Sequence, residues 1–77
     1  MIGEHDCIVL TEDLPGHGLK RGDLGTVVLL HGQKGYEVEF VSLAGETIAV
    51  VTLLPHQVRP VQRREIAQAR AMEVATK

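Results

Sequence analysis

Residues 19–28 read LKRGDLGTVV. A basic pair, Lys20 and Arg21, meets Gly22 and Asp23; Gly25 and a β-branched run follow. A phosphate-binding loop aims backbone N–H groups at the anion from the start of a helix, usually with a Gly-Lys-Ser/Thr step. Here a strand-like run follows, no such step is present, and Asp23 would repel an anion. The stretch therefore reads as a corner where a loop enters a strand. Gly22 takes a positive φ, Asp23 caps the turn, and Gly25 admits a bulge or bend.

Working outward, TEDLPGHGLKRG (11–22) holds Pro and Gly with no sustained period, which predicts a long loop. Leu14 and Leu19 are expected to fold back over one end of the core. HDCIVL (5–10) predicts a first strand and DLGTVVLLH (23–31) a second. GQKG (32–35) predicts a hairpin turn. YEVEFV (36–41) alternates cleanly, with Tyr36, Val38 and Phe40 on one face and Glu37 and Glu39 on the other. SLAGE (42–46) is a turn. TIAVVTLL (47–54) is almost wholly apolar, the pattern of a strand covered on both faces. PHQ (55–57) predicts a 3₁₀ turn and VRP (58–60) a stub strand. This order of elements predicts a mainly β fold over residues 1–60: a small five-stranded, partly open SH3-like barrel. Residues 61–77, VQRREIAQARAMEVATK, are rich in helix formers. A C-terminal α-helix is expected over 62–74, with a thin stripe of Ile66, Ala69 or Arg70, and Met72 or Glu73, and Pro60 before it. A frayed tail is the alternative.

Totals narrow the function. The chain has 77 residues and a net charge of −2, enough for one small domain. That charge argues against a broad electrostatic grip on nucleic acid. A single cysteine, Cys7, excludes an intramolecular disulfide and suits a reducing compartment. The N-terminal MIGEHDCIVL lacks the pattern of a signal peptide, and no apolar run is long enough to span a membrane. A cytoplasmic protein without membrane contact is expected.

The segments VLTEDLPGHGLKRGDLGTVV, YEVEFVSLAGETIAVVTL and VRPV together resemble a family of short bacterial proteins, domain of unknown function 4926. The resemblance covers roughly residues 4–61. It implies a small SH3-like barrel, no enzymatic activity and no assigned site residues. It also implies a role as the small partner of another protein. A weaker similarity, carried by Gly22, Gly25 and Val27, is to KOW-type barrels of ribosomal and transcription proteins.

No catalytic constellation is visible. Two carboxylates on one strand, Glu37 and Glu39, do acid–base work only in a pocket that shifts their pKa values. They read instead as a solvated face or a docking face for a basic partner. Cys7 reads as a small core residue. The histidines are scattered, His5-x-Cys7 is the only close pair, and no metal or cofactor is expected. The predicted function is a non-enzymatic protein-interaction module, antitoxin- or immunity-like, that binds and inhibits or stabilises another bacterial protein such as a neighbouring toxin. Glu37 and Glu39, the loop cations Lys20 and Arg21, and Arg63, Arg64, Ile66 and Met72 of the tail are its candidate contacts. The competing reading is a KOW-like nucleic-acid-binding barrel using Lys20, Arg21, Lys34, Arg59, Arg63 and Arg64. Self-association is compatible with either, because the apolar fourth strand and tail stripe exceed what one small barrel hides.

Overall fold

The alternating run predicted at 36–41 is the centre of the fold. In the computed structural model, which describes residues 2–72, five strands form one antiparallel sheet: β1 Cys7–Leu10, β2 Leu24–Leu30, β3 Tyr36–Val41, β4 Thr47–Leu53 and β5 Val58–Pro60. The spatial order is β4-β3-β2-β1-β5, and the sheet does not close. Val38 and Phe40 of β3 face inward against Ile8, Leu10, Leu19, Val27, Val51, Leu53 and Val58. Phe40 is 2% exposed and is the one aromatic fully inside this cluster.

Two irregularities reset the inward pattern. β2 pairs with β3 as Val27↔Val38 and then Leu29↔Glu37, so Val28 is the extra residue of a bulge. β4 pairs as Phe40↔Ala49 and then Val41↔Thr47, which leaves Ile48 extra and partly buried. Of the bulge or bend expected at Gly25, the bulge is absent: the residue's pairing with Ile8 is regular. A Cβ there would lie 2.5 Å from Val38 Cγ1 and 2.8 Å from Phe40 Cε2, so the residue is small because two core side chains lie over it.

The long loop behaves as predicted. Leu14 and Leu19 form an isolated antiparallel bridge, and Leu19 seals one end of the core. The 3₁₀ turn Pro15–His17 sits between them. A second 3₁₀ turn, Gly32–Lys34, joins β2 to β3, and a third, Pro55–Gln57, leads into β5. Gln57 fixes that last turn. Its Oε1 accepts from Leu54 N–H at 2.8 Å and its Nε2 donates to Glu12 at 2.9 Å.

Three expectations are corrected. β4 is covered on one face only: Val51 and Leu53 are buried, while Val50 is 50% exposed at the edge of the sheet. Cys7 is exposed rather than a core residue; β1 begins at Cys7, and its side chain falls on the outer side of the pleat from Ile8. The C-terminal helix expected over 62–74 does not form in residues 62–72; 73 and 74, including the alternative stripe residue Glu73, lie outside the described residues. The stripe is too thin to bury. Ile66 is 93% exposed, and short helices in water need a packed face. Residues 61–72 instead run as irregular chain, held by the Arg59–Glu65 and Asp23–Arg70 pairs.

Candidate functional site

The outer face of β2, β3 and β4 carries the first group of predicted residues. Pairing Thr26↔Glu39↔Val50 and Leu29↔Glu37↔Thr52 sets them in two cross-strand rows. Their carboxylates are fixed rather than free. Glu37 Oε1 accepts from His31 Nε2 at 3.0 Å and from Thr52 Oγ1 at 2.8 Å. Those bonds hold its carboxyl below the usual range, the His31 contact contributing most. Glu39 Oε2 accepts from Thr47 Oγ1 at 2.7 Å. Around them Leu24, Leu29, Val41 and Val50 are exposed. A shallow hollow of about 180 Å³ opens beside Glu39, lined by Cys7, Leu24, Thr26 and Leu43 among others.

The second group lies at the corner singled out in the sequence. Gly22 has φ 95°, and Asp23 caps the turn by accepting from Lys20 N–H at 2.8 Å. Asp13 caps the other arm, accepting from Arg21 N–H at 2.8 Å. The Lys20 and Arg21 side chains are exposed. Onto this corner the tail folds back. Arg70 Nε donates to Asp23 Oδ1 at 2.8 Å, its Nη2 to Asp23 Oδ2 at 2.6 Å, and the same Nη2 to the Gly18 carbonyl at 3.0 Å. Met72 lies beside Gly18, its Cε 3.6 Å from where a Cβ would stand. Burial pushes the Asp23 carboxyl up; the Arg70 guanidinium and the Lys20 N–H outweigh it, and the net direction is down.

The third group is on the tail. Gln62 and Glu65 close a turn that presents Arg63, Arg64 and Ile66 to solvent. Glu65 takes Arg59 of β5 in a two-pronged pair and accepts from Gln62 N–H at 2.6 Å. The Arg59 bonds, then the Gln62 N–H, bring its carboxyl down to about 2. The sign follows: a depressed folded pKa contributes stability above the unfolded value of 4.5 that is lost as pH falls toward 2. Backbone amides of residues 62–65 are accordingly expected to hold their NMR shifts at pH 5 and to move in one titration centred near 2. A midpoint near 4.5 would contradict the Arg59–Glu65 pairing.

The eight candidate residues thus occupy three places, not one. Glu37 and Glu39 share a face; Lys20, Arg21 and Met72 share the loop corner; Arg63, Arg64 and Ile66 share the tail turn. Sequence reading missed Arg70 and Asp23 as a pair, because their separation of 47 positions leaves no local signal. Among the described residues, no group of three or more His, Cys, Asp or Glu gathers as a metal site. No helix among them is long and apolar enough to cross a membrane.

Fold and surfaces together define a small mainly β domain with an acidic, apolar-flanked sheet face. The family model described as Domain of unknown function (DUF4926) matches residues 4–60, and the chain belongs to that family. The match ends at the last residue of β5, so the latching tail lies beyond it. No curated protein and no solved structure matches the chain.

Proposed function

We propose that the chain is a non-enzymatic protein-interaction module, built as an open SH3-like barrel, whose outer sheet face docks a basic partner protein. The barrel reading is supported by the strand order, the long first loop and the 3₁₀ turn before β5. One observation carries the functional reading: Glu37 and Glu39 are held in place by His31, Thr52 and Thr47 between exposed Leu24, Leu29, Val41 and Val50. Carboxylates already ordered lose little entropy on pairing with a partner's cations, and the apolar side chains beside them supply desolvation energy. An antitoxin- or immunity-like role follows as the biological form of this reading. The partner would be bound and thereby inhibited or stabilised.

The KOW-like alternative has less support. Arg59 is engaged by Glu65, and Lys20, Arg21, Lys34, Arg63 and Arg64 lie on separate loops and the tail turn rather than along one strand face. A photo-crosslinking residue in place of Val50, in the chain at native expression, is expected to join it to a single basic protein. Crosslinking to nucleic acid, or to nothing, would overturn the reading.

A further inference from the structure

The Arg70 contact has the form of a recognition site with its ligand in place. Asp23 offers both carboxylate oxygens to one guanidinium, and the Gly18 carbonyl takes a further N–H of it. With Arg70 seated on it, the Asp23 side chain is 17% exposed. Its orientation is fixed independently by the Lys20 N–H, and the loop around it by the Asp13 cap and the Leu14–Leu19 bridge. None of these supports involves the tail, so the cradle belongs to the barrel and its occupant to the tail. Between them Asp13, Pro15, Leu19, Lys20 and Ala71 border an open cleft of about 620 Å³, so the occupant is held at the Arg70 fork, with Met72 laid beside Gly18, rather than buried along its length.

We propose that this corner is a binding site for an arginine-bearing polypeptide segment, that Arg70–Met72 occupies it in the free chain, and that a partner segment of the pattern Arg-x-apolar exchanges with the tail. Charge complementarity and the seated tail define the ligand: a planar fork of N–H donors for Asp23 and Gly18, and an apolar side chain two residues on for the place Met72 takes. A lysine matches the charge but not the two-pronged geometry. Because the tail is tethered, it competes at an effective concentration in the millimolar range. A partner must exceed that, which makes the tail a threshold against weak basic ligands. The inference rests on the reading of the chain as a protein-binding module, and it specifies the chemistry of a second contact on the partner.

The test uses the full chain and a synthetic peptide of residues 66–72, IAQARAM, followed by NMR at the Gly18, Lys20 and Asp23 amides. Arg70→Ala vacates the corner. This variant is expected to bind the peptide saturably, and roughly fivefold more tightly than the unsubstituted chain, as the tethered competitor requires. The peptide with Lys in place of Arg is expected to bind at least about fivefold more weakly, the loss of the two-pronged bond. Adding Asp23→Asn to Arg70→Ala retains an oxygen for the Lys20 N–H cap and is expected to abolish binding. No saturable shift in the Arg70→Ala variant, equal binding of the two peptides, or binding that survives Asp23→Asn would each overturn the proposal. Its failure is separable from failure of the sheet-face reading: the peptide titration needs no partner, and the Val50 crosslink does not involve the corner.

Discussion

Replacing Phe40 by alanine is expected to remove a large share of the domain's stability, the largest loss of any single core truncation. Phe40 is the largest side chain in a core that gathers residues from Ile8 to Val58, and Val38 and Phe40 together close over Gly25. Truncating a buried Phe costs about 3–5 kcal/mol, the lost transfer energy plus the cavity left behind. A domain of this length has roughly 4–12 kcal/mol in total, at the usual 0.05–0.15 kcal/mol per residue. The cavity cannot be relieved by collapse, because β3 is pinned on both sides by β2 and β4. Urea denaturation followed by far-UV circular dichroism should show the midpoint falling with the slope unchanged. A loss below about 1 kcal/mol, within the range of ordinary surface substitutions and mild core changes, would mean that Phe40 is not the centre of the packing.

Much of this architecture was legible from local chemistry. YEVEFV reads as a half-buried strand because its alternation is unbroken, and the structure places Val38 and Phe40 in the core and both glutamates outside. Gly32, Gly35 and Gly45 mark turns because each takes a positive φ. Pro55 opens the 3₁₀ turn before β5. What escaped was whatever depends on a distant neighbour. TVVLL contains no signal for which residue is the bulge; opposition of Leu29 to Glu37 decides it. Gly25 looks like a bend in one dimension and is a packing requirement in three.

The tail shows the same limit more sharply. Ala, Arg, Glu and Gln favour a helix when nothing else competes. Here Arg59 claims Glu65 and Asp23 claims Arg70, and both pairs are made by irregular chain. Propensity is worth tenths of a kcal/mol per residue, and charge-assisted bonds at two points are enough to outweigh it. The candidate site was half legible for the same reason. Glu37 and Glu39 were found by strand period, whereas their fixing by His31, Thr47 and Thr52 rests on the hairpin register.

The second large effect concerns the sheet face. Glu37→Lys with Glu39→Lys reverses charge at two ordered positions without touching the core, since both side chains lie on the outer face. Placing cations opposite a basic partner replaces attraction by repulsion and leaves partner charges unpaired. Disruptions of that kind cost about 2–5 kcal/mol in binding, roughly 30-fold or more in affinity. The loss should appear with the circular dichroism spectrum of the folded chain retained and the denaturation midpoint only modestly lower, because the core is untouched and only the outer-face bonds to His31, Thr47 and Thr52 are lost.

The most direct measurement is therefore copurification of the chain at native expression, wild type beside the Glu37→Lys, Glu39→Lys variant, both confirmed as folded. The account predicts one basic protein at fixed stoichiometry with the wild type, and its absence from the variant. A wild-type chain that purifies alone, or a partner retained undiminished by the variant, would contradict it.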